Sequence, residues 1–282
     1  MTTDASALKT AAGPVLRVSG LSKTYRREGT GWRRTDLIVA ASEIELEIFA
    51  GQTLALAGSS GSGKSTVARC VTRIERPDSG QICLEGTDIA QLDSGALRPF
   101  RPQLQMVFQD PVTSLNPRFT AAEVIEEPLL IQKQGDKSTR RSRVKELMQE
   151  VGLSPQWADR SAMDFSGGQR QRLAIARALA LQPKLLVLDE ALSGLDLSTE
   201  AQIANLLLDL QAFHSLAYLF ISHDLALVAR LADTMAVMAN GRIVERGPTL
   251  QVVANASHPE TRTLVTSARA AQANLAALGV AP

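Results

Sequence analysis

Residues 58–66, GSSGSGKST, are the stretch whose types and spacing do chemistry most plainly. They fit the pattern G-x-x-x-x-G-K-[ST], with Gly58, Gly63, Lys64 and Ser65 in the fixed places and Ser59, Ser60, Gly61, Ser62 and Thr66 completing the loop. Phosphate oxygens must come within hydrogen-bonding distance of backbone N–H groups, and Gly61 and Gly63 remove the Cβ atoms that would obstruct them. The residues that follow, STVARCVTRI, read as a helix whose first N–H groups point at the anion. Lys64 can neutralise the outer phosphates, and the Ser65 hydroxyl can ligate Mg²⁺. A buried strand is predicted over 52–57, QTLALA, so the loop sits between strand and helix. These residues describe a nucleoside-triphosphate site.

Two further stretches narrow the chemistry. LLVLDE, residues 185–190, ends an apolar strand with Asp189 and Glu190. A carboxylate there can hold Mg²⁺, and its neighbour can polarise an attacking water. FSGGQRQR, residues 165–172, places Ser166, Gly167 and Gly168 at the start of a helix, which makes a second anion-facing N-terminus. Taken alone, it is also consistent with an ordinary serine cap and a flexible glycine pair. Taken with the loop, it calls for a purpose, because one nucleotide has no use for two such ends.

The elements that must position these groups alternate in type. Strands are predicted over 15–25, 44–49, 81–89, 104–110, 183–190 and 217–224, and 235–247 reads as a hairpin with Asn240-Gly241 at its turn. Helices are expected in TAAEVIEEPLLIQ, RRSRVKELMQEVGL, GGQRQRLAIARALAL and TEAQIANLLLDLQAF. Val144, Leu147, Met148 and Val151 recur at helical spacing and read as core. The order is α/β, with an antiparallel β-rich edge and a helical insertion over about 111–168. Residues 1–14 are expected to be disordered, and 256–282 to form a tail.

Composition excludes several classes. The 282 residues are 45% hydrophobic, enough for a real core. Lys and Arg number 30 against 29 Asp and Glu, a balance that gives no electrostatic footprint for nucleic acid. Cys70 and Cys83 make no metal pattern and suit a reducing compartment. The polar start, MTTDASALKT, carries no signal-peptide core, and no apolar run approaches the roughly 18 residues of a membrane span.

In order along the chain stand GSSGSGKST, Gln109 after an apolar strand, FSGGQ, LLVLDE, SGLD at 193–196 and His223 in ISHD. On these motifs the chain resembles the ATP-binding cassette (ABC) ATPases, over about residues 15–265. The resemblance implies a RecA-like P-loop NTPase core with an antiparallel β subdomain and a helical insertion, spanning 15–255. It implies a head-to-tail cassette dimer, each ATP held between the phosphate loop of one subunit and Ser166, Gly167, Gly168 and Gln169 of the other, with Asp196 nearby. Tyr25 would stack on adenine, with Trp32 as the competing aromatic. Gln109 would reach Mg²⁺, with Ser65 and Asp189, and the lytic water. Glu190 would be the base, and His223 would contact the γ-phosphate beside Lys64. His214 and His258 have no such context and read as surface or structural.

A narrower likeness lies in QMVFQDPVTSLNPR, FSGGQRQRLAIARAL and HPETRTLVTSA, which are similar to stretches of the oligopeptide, dipeptide and nickel importer ATPases. It implies a peripheral subunit on the cytoplasmic face of the membrane, docked on permease subunits through the insertion and residues 110–118. An extracytoplasmic solute-binding protein would act indirectly, and a second, different cassette is favoured over a second copy. Ala191, Gly194 and Glu260 depart from the usual pattern, and a Cys-rich tail is absent, so no iron–sulfur centre is expected. The competing reading is a soluble ABC ATPase working on nucleic acid or ribosomes. It is disfavoured because about one hundred residues without a zinc or coiled-coil insertion separate loop and signature, with no basic bias.

Overall fold

The structure, a computed structural model, describes residues 13–27, 36–109 and 115–277. Trp32, most of the N-terminus expected to be disordered and residues 110–114 of the expected permease contact lie outside the described residues. The chain divides into two compact units, Met1–Asp93 with Leu219–Pro282, and Ser94–Tyr218. The first unit begins with β1 (Leu16–Arg27), β2 (Asp36–Ile48), β3 (Thr53–Gly58), α1 (Lys64–Val71), β4 (Ser79–Leu84) and β5 (Thr87–Asp88). The second holds α2 (Ser94–Leu97), β6 (Leu104–Val107), α3 (Ala121–Ile131), α4 (Lys137–Glu150), α5 (Gly167–Leu179), β7 (Leu185–Asp189) and α6 (Leu197–His214). The chain leaves it through β8 (Ala217–Ile221). The first unit is completed by α7 (Leu225–Leu231), β9 (Thr234–Ala239), β10 (Arg242–Pro248), α8 (Thr249–Ala254) and α9 (Pro259–Ala277).

In the first unit, β1 is the centre of an antiparallel sheet of order β2-β1-β4-β5. The alternation predicted for 44–49 is realised: Ile44, Leu46 and Ile48 are buried, and Glu45 and Glu47 face solvent. The run 81–89, expected as one strand, is two. Glu85 and Gly86 both take positive φ, 47° and 81°, which makes a tight turn, so β5 folds back antiparallel on β4. The phosphate-loop strand β3 is buried at every position and pairs in parallel with β9. The predicted hairpin is present as β9 and β10, antiparallel around Asn240-Gly241, where φ is 48° and 76°.

In the second unit, β6 and β7 run parallel, with Leu104 opposite Leu185 and Val107 opposite Leu188. Strand β7 is buried throughout, whereas β6 buries only Leu104 and Val107 and is shorter than the run 104–110 suggests. The helices are held by side-chain ties as well as apolar faces. Thr120 and Glu123 form a reciprocal capping box at the start of α3. Arg177 of α5 pairs with Glu127 at 2.7 Å, and Arg140 of α4 pairs with Glu126 at 2.7 Å. Val144, Leu147, Met148 and Val151 are buried, as their spacing requires. No helix among the described residues is long and apolar enough to cross a membrane.

Candidate active site

The phosphate loop is built between a wholly buried strand and a helix that begins at Lys64. Its N-cap is Gly63, at φ 107°, a region that L side chains rarely adopt. A Cβ there would also run into the carbonyl oxygen of Ala40. At Gly61 the added atom would meet nothing within 4 Å, so only its φ of 79° asks for glycine. Thus Gly63 is fixed by packing under the loop rather than solely by the ligand's approach. The N-cap of α1 supplies no side-chain hydrogen bond to the helix start, which opens on the loop. The Lys64 ammonium is buried and donates to the carbonyls of Gly58 at 2.9 Å and Ser59 at 2.8 Å. The Gly241 N–H donates to the carbonyl of Ser62 at 3.0 Å, which fastens the loop to the β9–β10 turn.

Tyr25 lies on β1, opposite Ile38 on β2, with the Lys23 ammonium 5.7 Å from its ring centroid. Its hydroxyl donates to the Glu75 carboxylate. Burial and that bond push the phenol up to about 12. His223 is exposed just beyond β8, and the next residue, Asp224, caps α7 by accepting from the amides of Ala226 and Leu227.

The second unit carries the other predicted groups. Asp189 ends β7 and is 7% exposed. Glu190 follows at φ 47°, in the left-handed region. Its carbonyl accepts from both the amide and the hydroxyl of Ser193, at 3.0 and 2.8 Å, which offsets the strain of roughly 1 kcal/mol or more that such a backbone costs. Gln109 is exposed two residues past β6. Ser166 is the N-cap of α5. Its hydroxyl accepts from the Gln169 amide at 3.3 Å, while the Gln169 side chain accepts from the Ser166 amide at 3.0 Å. Asp196 caps α6, accepting from the amide and hydroxyl of Thr199 at 2.9 and 2.7 Å, and these bonds lower its carboxyl below the usual range.

A phosphate loop, a strand ending in Asp-Glu and a second helix start of the SGGQ type are thus all present as local structures. The family described as ABC transporter matches residues 41–193. The chain belongs to the ABC transporter family. Among its relatives, the cassette is 47% identical to the probable peptide ABC transporter ATP-binding protein y4tS of Sinorhizobium fredii, over 90% of this chain and 72% of that one. It is also 47% identical to the glutathione import ATP-binding protein GsiA of Salmonella typhimurium, over 89% of this chain. There it spans 41% of the relative's length. Among solved structures, it matches the ATP-binding cassette MJ0796, in a dimeric post-hydrolysis state bound to ADP and Pi, with a TM-score of 0.72 and 28% identity. That match covers 83% of this chain and 98% of the other, and supports the cassette fold.

The Ser65 hydroxyl, at the first turn of α1 in the first unit, and the Asp189 carboxylate, at the end of β7 in the second, are each oxygen donors of the kind a hard divalent cation takes. One other residue escaped sequence reading: Glu75 holds Tyr25 through a bond that no motif announces. Ser193, read only as the start of SGLD, also holds the Glu190 backbone. His214 and His258 have structural partners: His214 meets Glu150 at 3.0 Å, and the His258 amide donates to Glu245 at 2.9 Å.

Proposed function

We propose that this chain is the ATP-hydrolysing subunit of an importer for peptides or a related small solute. The observation that carries the proposal is the phosphate loop: a helix N-terminus with no side-chain cap and a buried lysine ammonium within the loop. In this reading Gly58, Ser59, Ser60, Gly61, Ser62, Gly63, Lys64, Ser65 and Thr66 cradle the triphosphate, and Tyr25 stacks on adenine. Ser65, Gln109 and Asp189 would hold Mg²⁺, which supplies charge neutralisation at the phosphates. Glu190 accepts a proton from the attacking water, and Lys64 and His223 stabilise charge that develops on the γ-phosphate. Ser166, Gly167, Gly168, Gln169 and Asp196 would serve the nucleotide of a second cassette in a head-to-tail dimer, a different chain in preference to a second copy. ATP closes that dimer and its hydrolysis reopens it.

The relatives support the importer assignment, one being named for peptides and another for glutathione import. The cassette would then sit on the cytoplasmic face of a membrane, docked on permease subunits, with a solute-binding protein acting from the other side. The helical segment 111–168 and residues 110–118 are the proposed permease contact. The test is ATP hydrolysis by the cassette co-purified with its membrane neighbours, with and without loaded solute-binding protein. Stimulation only by the loaded protein is expected. Full activity without a permease, raised instead by nucleic acid or ribosomes, would overturn the proposal.

A further inference from the structure

The cluster beneath Tyr25 uses groups that the phosphate loop and the carboxylate pair leave aside. It is assembled by the way α1 ends. Arg73 takes φ 53°, its amide donates to the Cys70 carbonyl, and the Ile74 amide donates to the Arg69 carbonyl at 2.9 Å. This is a left-handed helix stop, here on an arginine instead of glycine. The Arg73 guanidinium offsets that conformation by donating to the carbonyls of Ile89 at 2.8 Å and Leu92 at 2.7 Å. The stop turns the chain back so that the Glu75 amide also donates to the Arg69 carbonyl, at 3.0 Å. Glu75 is thereby held against its own helix, with the Arg69 guanidinium 3.5 Å away. One carboxylate oxygen then accepts from the Tyr25 hydroxyl, fifty residues earlier in the chain.

We infer that Glu75 is a positioning residue for the nucleobase: it pins the Tyr25 ring to the helix that carries the phosphate loop, so that base platform and triphosphate cradle keep a fixed spacing. The inference rests on the proposed stacking of Tyr25 on adenine. A tyrosine held only through its backbone must lose side-chain freedom when a base arrives. One held at its hydroxyl as well has already lost it, so stacking costs less. The carboxylate is suited to this because it accepts only, and a charge-assisted bond to a phenol is stronger than a neutral one. The Lys23 ammonium above the ring is itself fixed, donating to Asp78 at 3.0 Å and to the Arg76 carbonyl at 2.9 Å. The residues that follow the helix stop therefore grip the ring's surroundings from two sides.

The experiment compares ATP with inorganic tripolyphosphate, which has no base, as ligands of the intact cassette, together with KM and kcat for hydrolysis. Glu75→Ala is expected to weaken ATP by about fivefold, the worth of one hydrogen bond, in KM and not in kcat, with tripolyphosphate unaffected. Glu75→Gln, whose amide oxygen still accepts from the phenol, should restore most of the loss. Tyr25→Phe should reproduce the loss, and Glu75→Ala should add nothing to it. Equal weakening of ATP and tripolyphosphate, or an additive loss in the Tyr25→Phe background, would overturn the inference and assign Glu75 to helix stability. Tyr25→Ala separates the two readings. If it leaves ATP binding unchanged, the stacking reading itself fails. If it weakens ATP while Glu75→Ala and Tyr25→Phe do not, stacking stands and the positioning role falls.

Discussion

The helices α1 and α5 begin at the two places proposed to meet phosphate, and they begin differently. Helix α1 starts from Gly63 with no side-chain cap. Helix α5 starts from Ser166, whose hydroxyl is engaged by the Gln169 amide in a reciprocal box. The first end has no N-cap side chain to engage its N–H groups. The second satisfies one of them internally, so an anion arriving there must share the serine or displace it. A third start, at α6, is capped by the Asp196 carboxylate, which adds negative charge to the end. The series runs from an end shaped to receive an anion to one that already holds one.

The largest break in this comparison is chemical. Glu190→Gln leaves both helix starts intact while removing the proposed proton acceptor. ATP binding should persist, turnover should fall by about 10³-fold, and a closed dimer should accumulate by size-exclusion chromatography with ATP. Hydrolysis near the wild-type rate would remove Glu190 as the base. Next come Lys64→Ala and Gly63→Ala. The first deletes the buried ammonium, and the second drives a Cβ into the Ala40 carbonyl at a positive φ. Calorimetry should show ATP affinity reduced by about 100-fold or more for each, the equivalent of two strong charge-assisted bonds.

At α5 the corresponding changes test packing. Gly168→Ala would place its methyl on the Thr199 methyl group, and Thr199 is β-branched and stiff. Unfolding should show a loss of about 1–3 kcal/mol, relieved in the Thr199→Ser background, which keeps the hydroxyl that binds Asp196. Ser166→Ala should cost about 1 kcal/mol through the lost cap, with no counterpart at α1, which has no such cap to lose. The smallest effect concerns α6. The Asp196 carboxyl is lowered by the Thr199 hydroxyl and amide. Its contribution is therefore present above the unfolded carboxylate's pKa and fades as pH falls through the lower folded value. Asp196→Asn should flatten the acid limb of Tm against pH by lowering Tm slightly at neutral pH and leaving it nearly unchanged at acid pH, where the carboxyl is protonated in both states.

The sequence made some of this legible and hid the rest, for physical reasons. Strands β3, β7 and β8 are buried at all positions, so their apolar runs announce them without ambiguity. Asn240-Gly241 announces its turn because few dipeptides accept positive φ twice. The Glu85-Gly86 turn does the same job with a glutamate in the first place, and the run 81–89 therefore reads as one strand. Helix α7 is seven residues long and was invisible to periodicity, although Asp224 marks its start. In the candidate site, the loop and the carboxylates could be read from residue types. The Ala40 carbonyl beneath Gly63 and the Glu75 contact to Tyr25 are tertiary facts that join residues whose separation in sequence carries no local signal. The left-handed backbone at Glu190 is local, but it sits on a residue type that does not announce it.

The β9–β10 turn has a practical meaning for anyone altering this molecule. A two-residue turn of Asn and Gly is where epitope tags, labels and loop grafts are usually inserted, because such turns tolerate added chain. Here the amide of Gly241 donates to the Ser62 carbonyl, and the Ser42 amide donates to the Gly241 carbonyl at 2.7 Å. An insertion at 240–241 would shift the peptide that fastens both the phosphate loop and β2. A fusion made there would fold its strands and lose its grip on nucleotide, and the fault would look like a catalytic defect although no catalytic residue had been touched.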